Sequence, residues 1–177
     1  KRIAAGEVIE RPASVVKELL ENSIDAGADD IILNISDGGK SVIQLIDNGC
    51  GMEEQDALIC CERHSTSKIV SEEDLSRVET MGFRGEALAS ISSVARLEII
   101  SCTGECTEAT HLFVEDGRID EVEKKAPSPG TTVTVKDIFY NVPARRKFLK
   151  TVNTELRHII TAFRRIEIGH PQIEFRL

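Results

Sequence analysis

The sequence predicts an α/β domain, and three features carry that expectation. The stretch 12–28 has the apolar period of a helix, short β-rich runs after it are joined by Asp-Gly and Gly-Gly turns, and a second amphipathic run closes the chain. Pro12 suits the first turn of a helix, where its missing N–H is not needed, and Gly27 stands where a helix should stop. Between them Val15, Val16, Leu19, Leu20 and Ile24 fall on one half of the helical wheel and mark it as core. Glu18, Asn22 and Asp25 follow one another at i, i+4 and i+7, on a strip roughly 60° wide along the edge of that face. A carboxylate, an amide and a second carboxylate are thus stacked where a cleft could form. A solvated helix edge would read the same way.

A length of 177 residues suits one domain, and a hydrophobic share of 41% is ordinary for a globular chain. No apolar run approaches the ~20 residues of a membrane span, and no signal peptide opens the sequence. The first residue is Lys1 and not Met, which reads as a fragment of something longer. Five cysteines, two of them adjacent and none in C-x-x-C spacing, support neither a disulfide framework nor a zinc site, so a reducing, intracellular setting is expected. The formal net charge of −8 argues against a surface that is wholly a nucleic-acid footprint, while leaving room for a local basic patch.

In chain order, residues 3–9 read as a short helix that breaks at Arg11-Pro12, because the residue before proline avoids the helical region. Runs 31–36 and 41–47 read as strands around an Asp37-Gly38-Gly39-Lys40 turn. Gly39-Lys40-Ser41 mimics the tail of a P-loop, but Asn34 stands where the first glycine belongs and no helix follows. Asp47-Asn48-Gly49-Cys50-Gly51-Met52 mimics a Rossmann turn, with Glu54 in place of its third glycine. What remains is a carboxylate at a strand end and two glycines that permit close approach. Residues 53–63 read as a helix, and 64–81 as an irregular stretch, either a lid or a plain surface loop. Gly82-Phe83-Arg84-Gly85-Glu86-Ala87-Leu88 is a glycine-bearing turn opening into a helix, whose unpaired N–H groups suit an anion. Strands are expected at 97–102, 109–115, 118–124 and 131–135, then a loop over 137–146 into a short basic helix. Asn153 is the expected cap of a last helix running to about Ile168. Its Leu156, Ile159, Ile160, Phe163 and Ile166 share one face, and Arg157, His158, Arg164 and Arg165 the other. With Arg145, Arg146, Lys147 and Lys150 these form the concentrated positive region, a solvated face or a possible DNA contact.

If the Glu18/Asn22 strip, the Asp47 turn and the Gly82 helix start converge, one pocket holds what a nucleotide requires. Asp47 can accept from an exocyclic amine such as adenine carries. The glycine turn offers backbone donors to phosphates. Asn22 supplies one neutral oxygen to Mg²⁺, an ion that keeps most of its waters, and Glu18 one turn earlier can orient or deprotonate a water.

The segments 15–27, Asp47-Asn48-Gly49-Cys50-Gly51, Gly82-Phe83-Arg84-Gly85-Glu86-Ala87 and Gly130-Thr131-Thr132 come in the order of the four motifs of GHKL ATPases, the class of gyrase B subunits, heat-shock chaperones, histidine kinases and MutL proteins. Ile3-Ala4-Ala5-Gly6-Glu7-Val8-Ile9, Arg63-His64-Ser65-Thr66-Ser67-Lys68, residues 87–94 and Phe139-Tyr140-Asn141-Val142-Pro143-Ala144-Arg145-Arg146-Lys147 resemble MutL proteins and not their cousins. That resemblance implies a two-layer α/β sandwich, a mixed and mostly antiparallel sheet covered by helices on one face, with residues 1–177 as one ATPase domain. It implies Glu18 as general base for ATP hydrolysis and Asn22 as Mg²⁺ ligand. Asp47, helped by Thr132, reads adenine, and Gly49, Gly51 and Met52 belong to the same ATP site. Lys68 lies in a lid over ATP, and Gly82, Phe83, Arg84, Gly85, Glu86, Ala87 and Leu88 wrap the phosphates.

The implied function is ATP-gated homodimerisation in DNA mismatch repair, with a MutS-type mismatch-recognition partner and weak DNA contact. No membrane is involved, and the setting is cytoplasmic, or nuclear in a eukaryote. A chain trimmed to these ends is expected to bind nucleotide weakly and to hydrolyse it slowly or not at all. A topoisomerase or histidine-kinase ATP domain is one rival; a nucleotide-responsive interaction module without significant turnover is another.

Overall fold

The computed structural model describes residues 9–62 and 87–177. Within them the chain runs α1 (Pro12–Asp25), β1 (Asp30–Ser36), β2 (Val42–Asp47), α2 (Glu54–Ile59), α3 (Ala87–Ser92), β3 (Arg96–Cys102), β4 (Ala109–Glu115), β5 (Arg118–Lys125), β6 (Gly130–Lys136), α4 (Pro143–Phe148), α5 (Val152–Gly169) and β7 (Glu174–Arg176). The seven described strands form one sheet in the order β5-β4-β3-β6-β2-β1-β7. Every pairing is antiparallel except β1 with β7. The expected mixed, mostly antiparallel sheet is therefore what forms.

Strand alternation divides the sheet into two faces. Ile31, Leu33, Ile43, Leu45, Val133, Val135, Leu97, Ile99, Leu112 and Val114 share one face through the register and are buried in one core with Val15, Val16, Leu19 and Leu20 of α1 and Ile159 and Phe163 of α5. On the other face Ile32, Ile46, Thr132 and Ile100 lie in one cross-strand row and are half-buried. One layer of helix on one face of sheet is the result.

Some expectations need adjustment. α5 is capped by Thr151, whose Oγ1 accepts the Thr154 N–H at 3.4 Å, and not by Asn153, which lies inside the helix. Two residues of misplacement follow from having two candidate caps, Thr151 and Asn153, before one apolar stripe. α2 ends at Ile59, four residues short of the expected Arg63. β7 was not anticipated: three residues carry no periodicity, and the strand exists because β1 offers a free edge for parallel pairing. The expected helix at 3–9, apart from buried Ile9, and the irregular stretch 64–81 lie outside the described residues.

After β6 the chain turns back onto the helix layer through a latch of three residues. Phe139, at φ 62°, is fully buried and its N–H donates to Val94 O at 2.6 Å. Asn141 Nδ2 donates to Ser93 O (3.0 Å) and Asp116 Oδ1 (2.6 Å), and the Tyr140 hydroxyl donates to the same oxygen at 3.0 Å. The Arg96 guanidinium sits 4.4 Å from the Tyr140 ring centroid. Partial burial, then the hydrogen bond to Asp116, push the phenol up from 10.0 to about 12. This is the single tyrosine and there is no tryptophan, so its ionisation can be followed cleanly by ultraviolet absorbance. The midpoint should lie near 12 in the folded chain and fall toward the ordinary value in Asp116→Asn. Because the folded chain holds this proton longer than the unfolded one, the latch's contribution is complete below the unfolded pKa and is lost as pH rises through the folded one.

Candidate functional site

Helix α1 builds the site with a residue from its buried stripe. Ser23 stands i+4 from Leu19, where the period calls for an apolar side chain, and is 3% exposed. Its hydroxyl donates to Asp47 Oδ2 at 2.7 Å. Asp47 is the last residue of β2 and is 8% exposed; its Oδ1 accepts the N–H of Gly49 (2.9 Å) and of Thr131 (3.3 Å). Burying a carboxylate is costly unless it is hydrogen-bonded, and these donors meet that requirement from α1, the turn and β6 together. A carboxylate has about four acceptor sites, so capacity remains for a further donor.

The turn after Asp47 is clamped by backbone. Cys50 N–H donates to Ala26 O at 2.9 Å, just past the end of α1. A Cβ at Gly49 would meet Ala26 Cβ at 2.8 Å. Gly51 has φ +69°, and a Cβ there would fall 2.0 Å from Cys102 O. Gly130 has φ +112°, and its Cβ would fall 2.1 Å from Asp47 O. The glycines thus let three backbone segments meet. Met52 N–H donates to Ser101 Oγ at 2.9 Å, and that hydroxyl shares a 2.8 Å hydrogen bond with Thr131 Oγ1. Asn48 ties the turn to β1: its Oδ1 accepts from the N–H groups of Asp29 and Asp30, each at 3.0 Å.

The structure brings some of the residues expected here together and not others. Asp47, Gly49, Gly51 and Met52 gather at the end of α1; Glu18, in the middle of that helix, and Asn22 and Asp25, in its last turn, are half-buried. Ala87 and Leu88 open α3, which packs on α1. Thr132 is a correction. It pairs with Ile46 and Ile100, so its side chain stands on the face of the sheet away from the helices. The threonine opposite Asp47 is Thr131, one residue earlier. Lys68, Gly82, Phe83, Arg84, Gly85 and Glu86 lie outside the described residues. Arg146, Lys147 and Lys150 are exposed on and after α4, together with Phe148 at 79%, and Arg145 is half-buried with Nη1 donating to Ile9 O at 3.5 Å.

A cleft of about 230 Å³ opens on the other face of the sheet, bordered by Ile32, Ile46, Ile100, Ser128, Pro129 and Thr132. It reaches Asp47 and Thr131, whose side chains the register assigns to the helix-covered face. Ser23, Ser101 and Thr131 were not singled out by sequence reasoning. A serine in an apolar helical stripe was the available signal for the first; the strand phase needed for the others follows from the register.

Among the described residues, no group of three or more His, Cys, Asp or Glu side chains could hold a metal ion, and no helix is long and apolar enough to cross a membrane. Gly130→Ala should destabilise the chain by more than about 2 kcal/mol in urea unfolding, since it strains a positive φ and drives a methyl into Asp47 O. Gly169→Ala, with nothing within 4 Å, should stay within about 1 kcal/mol of the parent.

Comparison with known proteins places this geometry in a family. Residues 9–141 match the family described as histidine kinase-, DNA gyrase B-, and HSP90-like ATPase. The chain is 53% identical over 176 residues to the DNA mismatch repair protein MutL of Prosthecochloris aestuarii, covering 99% of this chain and 28% of that protein. It is 51% identical over 175 residues to MutL of Bacillus cytotoxicus, covering 99% and 27%. The chain therefore spans little more than a quarter of the length of these relatives. Among solved structures it resembles the Aquifex aeolicus MutL ATPase domain complexed with ADP (TM-score 0.75, 35% identity, covering 95% of this chain and 59% of that one). It also resembles the N-terminal domain of a DNA repair protein (TM-score 0.82, 33% identity, 98% and 50%). The chain belongs to the histidine kinase-, DNA gyrase B- and HSP90-like ATPase family, on its MutL branch.

Proposed function

We propose that residues 1–177 form an ATPase domain that binds ATP with Mg²⁺ and hydrolyses it slowly, as part of a MutL-type protein in DNA mismatch repair. The observation that carries this reading is the buried Asp47 carboxylate, held by Ser23, Gly49 and Thr131 beside the polar strip of α1. Its geometry suits one more donor in the plane of a purine, such as the exocyclic amine of adenine. The ADP in the similar Aquifex aeolicus domain supports a nucleotide as the ligand.

In this reading Thr131 and Asp47 read adenine, and Met52, next to Ser101, belongs to the same wall. Asn22 is the protein ligand of Mg²⁺. A single amide oxygen fits an ion that prefers to keep its water shell. The ion supplies charge neutralisation on the phosphates. Glu18, one helical turn before Asn22, takes the proton from the attacking water. Lys68 and residues 82–88 close over the phosphates. In the longer protein ATP binding drives homodimerisation, a MutS-type protein is the upstream partner, and Arg145, Arg146, Lys147 and Lys150 add a DNA contact.

Isothermal titration and a steady-state phosphate-release assay test this together. In the full-length protein Glu18→Ala should keep affinity for ATP within about threefold while turnover falls by roughly a hundredfold or more. Asp47→Asn should weaken binding by about ten- to a hundredfold, the equivalent of one charged hydrogen bond. Thr131→Val should weaken it and Thr132→Val should not. Unchanged ATP affinity in Asp47→Asn would contradict the adenine assignment, and unchanged turnover in Glu18→Ala would remove the base.

A further inference from the structure

The cysteine thiols have no role in that reading, yet two of them share one loop behind the site. Residues 103–108 link β3 to β4, and a turn closed by Cys106 N–H on Thr103 O (3.3 Å) folds this loop back on itself. Cys102 Sγ, 1% exposed, lies 3.2 Å from Thr103 O and 3.9 Å from Cys106 O. Cys106 Sγ, half-buried, is 3.0 Å from Thr103 Oγ1, so both thiols sit against Thr103 within one turn of the loop. A Cβ built on Gly104 between them would meet nothing within 4 Å, so this side of the loop faces open space. The same segment backs the nucleotide turn. Cys102 O is the atom that a Cβ on Gly51 would strike, Ser101 Oγ holds the Met52 N–H, and Glu53 lies close enough to act on the charge of Cys106.

We infer that Cys102 and Cys106 are a thiol pair that a hydroperoxide oxidises to a disulfide, and that closing it lowers affinity at the adjoining nucleotide site. The second half rests on the ATP reading above. Cys106 is the attacking thiolate. It attacks the peroxide O–O bond to give a sulfenic acid and an alcohol (water, for hydrogen peroxide), the leaving oxygen taking up a proton. The Cys102 thiol then displaces the hydroxyl from sulfur, releasing water and forming the S–S bond. Two thiols lose two electrons in all, and the peroxide gains them.

The protonation balance agrees with these roles. Hydrogen bonds from Thr103, with one from Cys102, hold the Cys106 thiol below its ordinary value, against desolvation and Glu53. Burial, then the charge and hydrogen bond of Cys106, push Cys102 up. Cys60 and Cys61, with sulfurs 3.8 Å apart, are a competing pair, but they are adjacent in sequence and a bond between them would close a small ring around one peptide unit.

Trypsin separates the two possibilities. Cleavage after Arg96 and Arg118 isolates Cys102 and Cys106 in peptide 97–118, while Cys50, Cys60 and Cys61 fall in peptide 41–63. The reduced chain, treated with hydrogen peroxide, alkylated and digested, should give a 97–118 peptide lighter by two hydrogens than its reduced form, unalkylated, and restored by dithiothreitol. Cys102→Ser should leave Cys106 as a sulfenic acid that dimedone captures. Affinity for a non-hydrolysable ATP analogue should fall by roughly threefold or more on oxidation, recover with dithiothreitol, and not respond to peroxide in Cys106→Ser. Alkylation of both cysteines in 97–118, or a disulfide confined to 41–63, would overturn the pair. A disulfide in 97–118 with unchanged affinity would overturn the coupling. Absence of binding by the reduced chain would count against the ATP reading and the coupling, while the peptide masses would still decide the disulfide.

Discussion

A single buried carboxylate sets much of this architecture. Asp47 cannot be withdrawn from water without donors, and the chain supplies them from places distant in sequence: Ser23 on α1, Gly49 in the turn and Thr131 on β6. Those hydrogen bonds require the end of α1 to lie against the ends of β2 and β6, and that contact is possible only because Gly49, Gly51 and Gly130 carry no side chain. Satisfying the charge and closing the backbone clamp are one event. The half-buried strip of Glu18, Asn22 and Asp25 then runs along α1 toward the same point. In the proposed function that one junction sets a purine amine beside a hydrated cation.

Sheet register decides which side chains can take part. Adjacent strand residues point to opposite faces, so a slip of one position moves a threonine from the helix-covered face to the other one. Thr131 faces Asp47, whereas Thr132 stands with Ile32, Ile46 and Ile100 over a separate cleft. That cleft opens on the face away from the helices, while the donors to Asp47 converge on the other face. Concavity and buried charge lie on opposite sides of the sheet, and the proposed function follows the charge.

Much of this was legible in the order of residues. The strands at 31–36, 97–102 and 109–115 were readable because Asp-Gly turns and β-branched runs are local signals, and α1 because Pro12 and Gly27 bracket a regular apolar stripe. The parts that escaped are those fixed by tertiary contact. β7 is too short to have a period and exists through its pairing with β1. Ser23 looks like an interruption of the stripe until its partner is known. The choice between Thr131 and Thr132 depends on strand phase, which Gly130 sets by its approach to Asp47 O. The roles of Glu18 and Asn22 were read from their residue types, on the condition that their strip meets the two glycine turns, and from family resemblance; periodicity alone could not tell that strip from a solvated edge.

The placement of the ligand is the claim on which all the chemistry rests. A crystal structure of the chain with Mg²⁺ and a non-hydrolysable ATP analogue measures it directly. The account predicts the adenine amine within hydrogen-bonding distance of Asp47 on the helix-covered face, with the Thr131 side chain beside it and the phosphates running along α1 past Asn22. A purine seated instead over Ile32, Ile46 and Ile100 on the open face, with the Asp47 carboxylate untouched, would contradict it.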